Sequence, residues 1–207
     1  MGMQGLVVDE GNITEPRASL LHRMLSIIIV VLGSLFYILY LFPLNFLDGT
    51  SSFWESPPIE DIATQISGLR YYISDQWRFP LFRTVGLDPP DGISIIYTDS
   101  LPIFAVFAKL LHHVFATHFN YFGLWIGLCY ILQAISAVVL LVSLGVRGHI
   151  PALAAAGIAL SAPSFLFRLF HPTLCAHFLI MLALSFYFTS IRTASFHRVW
   201  PWFCVLA

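Results

Sequence analysis

The chain has 207 residues, of which 58% are hydrophobic and only 10% charged, with a mean hydropathy of +0.82. A soluble domain carries roughly 25% charged and roughly 45–50% apolar residues, and the departure is in the direction of a membrane protein. A disordered chain is excluded by 15% aromatics, a disulfide scaffold by three cysteines (Cys129, Cys175 and Cys204) that all lie in apolar runs, and a basic nucleic-acid-binding face by a formal net charge of −1.

Charge is unevenly placed. Three acids lie in the N-terminal tail, and the other eight are Asp48, Glu55, Glu60, Asp61, Asp75, Asp88, Asp91 and Asp99. Residues 100–207 contain no Asp or Glu, so any chemistry that needs a carboxylate draws on residues 48–99.

In chain order, residues 1–23 read as a polar cytoplasmic tail that ends in Arg17 and Arg23. Residues 24–47 hold no charge over 24 positions. As a helix this run would rise about 36 Å, enough to cross a hydrocarbon core of roughly 30 Å. Its length, and the lack of a small-residue cleavage site after it, favour a retained span over a signal peptide. Residues 48–100 form a polar loop with five prolines. Within it, Ile62, Ile66, Leu69 and Ile73 make a helical stripe over Glu60–Trp77. That stripe predicts a short amphipathic helix lying on the membrane surface, with Glu60 and Asp61 in its first turn.

Residues 101–117 are apolar, but Lys109, His112 and His113 form one polar stripe, which suits an interfacial or re-entrant helix. Clean spans are predicted over 121–146, 150–167 and 173–191, the first with Gly123 and Gly127 spaced for close helix approach. Residues 199–207 read as the opening of a further, truncated span. The fold class expected is an all-α polytopic membrane protein with a polar outer loop. If 101–117 does not cross, Arg147, Arg192 and Arg198 join Arg17 and Arg23 on the cytoplasmic side, as the positive-inside rule prefers. That topology brings Arg168 and His171 to the outer side, with the acidic loop.

One outer face then holds Glu60, Asp61, Arg70, Arg78, Asp99, Arg168 and His171, with His177 as a further candidate. Arginine offers a planar fork for phosphate, and a carboxylate can take a proton from an acceptor hydroxyl. Each residue also has a plain structural use. Glu60 and Asp61 favour a helix N-terminus, Asp99 before Ser100 and Pro102 suits a cap or turn, and Arg168 suits an interfacial anchor. His171 and His177, six apart, are poorly spaced for zinc. A divalent ion could be held through Asp61 and Asp99, but no ligand spacing argues for it, and no cofactor motif is present. The remaining readings are a non-catalytic multi-pass protein and a transporter-like component. A transporter would want ionisable groups inside its spans and matching halves.

Three segments carry a resemblance: Glu60–Gln65 (Glu-Asp-Ile-Ala-Thr-Gln), Tyr97–Ile103 (Tyr-Thr-Asp-Ser-Leu-Pro-Ile) and Phe119–Trp125 (Phe-Asn-Tyr-Phe-Gly-Leu-Trp). A fourth runs from Leu160-Ser161-Ala162-Pro163 through Arg168 and His171 to Ala176-His177-Phe178-Leu179-Ile180. Together with the layout of spans they resemble an uncharacterised bacterial multi-pass family placed near the GT-C superfamily of membrane glycosyltransferases. The resemblance implies a GT-C-like N-terminal arrangement in a bacterial inner membrane. It also implies transfer of a sugar from a polyprenyl-phosphate-linked donor on the extracytoplasmic face. It puts the general base on Asp61, with Glu60, Asp99, Arg168, His171 and His177 binding substrate and Arg168 and His171 near the donor phosphate. The expected partners are that donor and membrane lipids. Two departures stand out. The family expects Gly-Asp-Pro where Ile59-Glu60-Asp61-Ile62 stands, and its members have more spans, so a chain of this length is expected to lack part of the site.

Overall fold

The computed structural model describes residues 16–54, 60–114, 119–169 and 171–193; the tail before residue 16, residues 194–207 with Arg198, and the side chains of residues 16–23 (with Arg17 and Arg23), Glu60 and 192–193 (with Arg192) lie outside what is described. The chain is mostly helical. Helix α1 runs over Pro16–Leu41, α2 over Leu44–Leu47, α3 over Glu60–Ser74, α4 over Pro102–Leu110, α5 over Phe122–Ser143, α6 over His149–Leu160, α7 over Pro163–Leu166 and α8 over Phe178–Thr193. A two-residue antiparallel ladder pairs Arg83 with Ser94 and Thr84 with Ile93 (β1, Arg83–Thr84; β2, Ile93–Ser94).

Three described segments are long and apolar enough to cross a membrane: Met24–Leu41, Phe122–Ser143 and Pro172–Ile191. Helix α5 is the axis of the bundle, packed against α1, α6 and α8. Side-chain chemistry identifies the two ends. At one, Ser26 Oγ, about three turns into α1, meets His149 Nδ1 at 2.6 Å, beside the α5–α6 turn that carries Arg147. At the other, the Asn120 backbone N–H donates to the Gly49 carbonyl at 2.9 Å, joining the exit of α1 to the entry of α5. Helix α5 passes close to α2 here. A Cβ on Gly123 would collide with the Phe46 carbonyl oxygen, so only glycine lets α5 pass under α2. The expectation of close approach thus finds its partner in α2.

Two sequence-based expectations change. The charge-free run 24–47 is not one helix, because Pro43 cannot donate into the α1 ladder, and the chain restarts as α2. The run 150–167 is likewise two helices. Pro163 biases Ala162 to an extended backbone (ψ 120°), ends α6 after twelve residues and opens α7. Helix α6 alone rises about 18 Å, well short of a hydrocarbon core.

The insert between α2 and α5 has its own core. Ile62, Ile66, Leu69 and Tyr72 on α3 are buried, against the 95–98 turn, β1 and α4. The predicted stripe exists, but protein covers it, so α3 does not present it to a membrane surface. Periodicity gives the apolar face of a helix and is silent on what buries it. Asp75 locks the end of α3 to the ladder. Its carboxylate accepts five hydrogen bonds: from Arg78 Nε (3.0 Å) and Nη2 (3.1 Å), the Gln76 (2.7 Å) and Val85 (2.9 Å) backbone N–H groups and Thr84 Oγ1 (3.0 Å). The Arg78 guanidinium, above all, holds Asp75 well below the usual carboxylate range.

Helix α4 has nine residues, about 13 Å of rise. Lys109, in its last turn, is buried rather than part of an open polar stripe. Its Nζ donates to the Gln76 carbonyl at 3.0 Å and lies 4.2 Å from the Tyr72 ring centroid and 4.8 Å from that of Trp77. Burial pushes the Lys109 ammonium below its usual value, with the charge of Asp75 opposing that shift. His112 Nδ1 turns back to the Lys109 carbonyl at 2.7 Å.

Candidate functional site

The candidate site lies where the insert meets the segment between α7 and α8. Asp61, in the first turn of α3, faces His171, with His171 Nε2 at 3.6 Å from Asp61 Oδ2. Neither is sequestered, since the aspartate side chain is 60% exposed and the histidine 39%. Residues 110 positions apart thus share one open corner.

Asp99 joins the same segment from a second direction. Thr173 Oγ1 donates to Asp99 Oδ2 at 2.6 Å. The backbone around Asp99 explains its aim. Asp99 (φ 57°) and Leu101 (φ 50°) both occupy the left-handed region, unfavourable for leucine, so surrounding contacts must hold them there. Those contacts are present. Ser100 Oγ donates to the Gln65 carbonyl at 2.7 Å, Thr98 Oγ1 donates to the Ile95 carbonyl at 2.9 Å, and Tyr121 OH donates to the Ser100 carbonyl. A Cβ on Gly68 would strike the Thr98 and Ser100 hydroxyls, so this glycine lets α3 sit against the corner.

The 171–175 segment is fixed independently. Trp125 Nε1, one turn into α5, donates to the Pro172 carbonyl at 2.6 Å. The His171 N–H donates to the Arg168 carbonyl at 2.8 Å, and the buried Cys175 thiol also donates to that carbonyl at 3.2 Å. His171 is therefore presented to Asp61 by a pinned turn rather than a free loop.

The other expected residues stand differently. Arg168 is exposed, one tight turn before His171. His177 is half-buried against Phe165, with ring centroids 5.6 Å apart, and no contact joins it to Asp61. The Glu60 side chain lies outside the described residues. Among the described residues no group of three or more His, Cys, Asp or Glu could hold a metal ion. Thr173 and Trp125 escape sequence reasoning. A threonine and a tryptophan beside apolar runs carry no chemical signal until the fold places them against Asp99 and Pro172.

Residues 30–207 match the family described as a domain of unknown function, DUF6311. The chain belongs to that family. No curated protein and no solved structure matches it. The DUF6311 assignment covers every residue of the corner, Asp61, Asp99, His171 and Thr173, and brings no activity with it.

Proposed function

We propose that this DUF6311 protein is a polytopic membrane glycosyltransferase, or the N-terminal part of one, with its N-terminus cytoplasmic. In this reading it takes a sugar from a polyprenyl-phosphate-linked donor on the extracytoplasmic face of a bacterial inner membrane. The observation that carries the reading is the Asp61–His171 pair, 3.6 Å apart and open to solvent at the end of the bundle that bears the polar insert. A base must be reachable by its acceptor, and an exposed carboxylate on a packed helix meets that need.

In this reading the acceptor hydroxyl donates its proton to Asp61 while its oxygen forms a bond to the anomeric carbon of the donor. The bond from that carbon to the phosphate oxygen breaks, and the lipid phosphate leaves with the electron pair. Arg168 supplies positive charge near the departing phosphate, and the His171 ring can donate a hydrogen bond to it. Asp99 holds the His171 turn through Thr173. Two observations support the reading: the resemblance of the 60–65, 97–103 and 119–125 segments to the family near the GT-C superfamily, and the convergence of the first and second segments on the 171–173 turn.

The test is sugar transfer from a polyprenyl-phosphate-linked donor by the full-length protein in membranes. Asp61→Asn keeps the shape and removes the base, and should lower turnover by about 100-fold or more. Turnover equal to that of the unmodified protein removes Asp61 from the mechanism.

A further inference from the structure

The apolar stripe of α3 is spent inside the insert, yet the insert exposes a different apolar surface. Along the outer side of α4 and the turn after it, Ile103 (66% exposed), Phe107 (58%), Leu110, Leu111 and Val114 (78%) recur at helical spacing. Beside them a loop, Trp77-Arg78-Phe79-Pro80-Leu81, carries Phe79 at 93% exposure and Trp77 at 49%. Single exposed apolar residues are ordinary, whereas a contiguous set of this size marks an interaction surface.

The loop and the helix form one body. Lys109 points away from the exposed side of α4 and bonds the Gln76 carbonyl while stacking on Trp77. Tyr72 OH donates to the Leu81 carbonyl at 2.8 Å, which anchors the far end of the loop. Phe79 is thus held out by fixed neighbours.

Two observations say what covers the surface. The first is position: Phe104 of α4 packs against Tyr121 (5.9 Å) and Trp125 (4.8 Å) at the entry of α5, so α4 lies level with one end of a helix long enough to span a bilayer. The second is composition. Trp77 and Phe79, next to Pro80 and Leu81, suit the layer between headgroups and acyl chains where aromatic bodies are buried, while the Arg78 guanidinium between them is held on Asp75.

We propose that the outer side of α4 and the 77–81 loop form a bilayer-docking surface, which lies in the interfacial layer at the Asp61–His171 end of the bundle. The proposal rests on the reading that α5 crosses the membrane. It deepens the functional one by fixing the site at headgroup depth, where a lipid-borne phosphate would arrive.

Site-directed spin labelling of the full chain tests this. Single cysteines replace Phe79, Phe107, Asp88, Leu128 or Val139 in a Cys204→Ser background, in phosphatidylcholine vesicles doped with phosphatidylglycerol. Collision with oxygen and with a water-soluble nickel chelate gives depth. Labels at 79 and 107 should favour oxygen and lie about 5–10 Å below the phosphate level, and the label at 88 should favour the chelate. Labels at 128 and 139, exposed on α5, report on the membrane reading itself. If they read as lipid while 79 and 107 behave like 88, the docking surface is refuted and the membrane reading stands. If 128 and 139 also favour the chelate, both fall. Spin–spin broadening at 107 between copies would overturn the proposal in favour of a protein partner.

Discussion

Lys109→Met isolates the joint between α4 and the 77–81 loop. The substitution keeps most of the stem volume and removes the ammonium. What is lost is one charged hydrogen bond at 3.0 Å to the Gln76 carbonyl and contacts with two ring faces at 4.2 and 4.8 Å. A hydrogen bond to a charged group contributes about 1.5–3 kcal/mol, and a desolvated cation–π contact up to about 2 kcal/mol. Opposing them is the cost of holding an ammonium on a residue only 3% exposed, which methionine relieves. The balance is a net loss of about 1–3 kcal/mol. For a chain of this size each 1 kcal/mol lowers the melting temperature by about 2–4 °C, so a fall of about 4–8 °C is the central expectation. The assay is thermal unfolding in detergent, followed by tryptophan fluorescence, with Trp77→Ala and the double variant completing a cycle. A coupling of about 0.5–2 kcal/mol between the two sites is expected. A Lys109→Met protein that melts with the unmodified one, or a coupling of zero, would refute the claim that this ammonium joins the loop to the helix.

Asp75→Asn should cost about 1–3 kcal/mol, because one carboxylate ties Arg78, Thr84 and Val85 to the end of α3. The folded state depresses the Asp75 pKa. Its contribution is therefore complete above the unfolded value of about 4 and is lost as pH falls below that point. Denaturant midpoints measured between neutral and acid pH should fall for the unmodified protein, and Asp75→Asn should flatten the acid limb. Gly123→Ala should lower the melting temperature, because the added methyl meets backbone at Phe46, while Gly33→Ala on α1, where nothing lies within 4 Å, should be neutral or stabilising.

Much of the helical plan is written in the sequence as period and punctuation. The α3 stripe has a 3.6-residue repeat, and helix α3 covers Glu60–Ser74. Pro43 and Pro163 carry the two breaks in otherwise apolar runs, but hydrophobicity alone reads through them. The burial of Lys109 is not legible, because it depends on Tyr72 and Trp77 arriving from another segment. The site divides the same way. Asp61 and His171 stand out as ionisable residues beside apolar spans, where charge asks for a reason. The Asp99–Thr173 bond joins residues 74 positions apart and depends on two left-handed backbone positions, for which no local pattern exists.

In the proposed function Asp61 and His171 share one aqueous corner on the extracytoplasmic side. The direct measurement is labelling of Asp61→Cys and His171→Cys, each alone in the full-length protein, with a membrane-impermeant maleimide on intact spheroplasts and after lysis. Both cysteines should label before lysis. Labelling of both only after lysis would put the corner in the cytoplasm, and labelling of one without the other would contradict the shared corner itself.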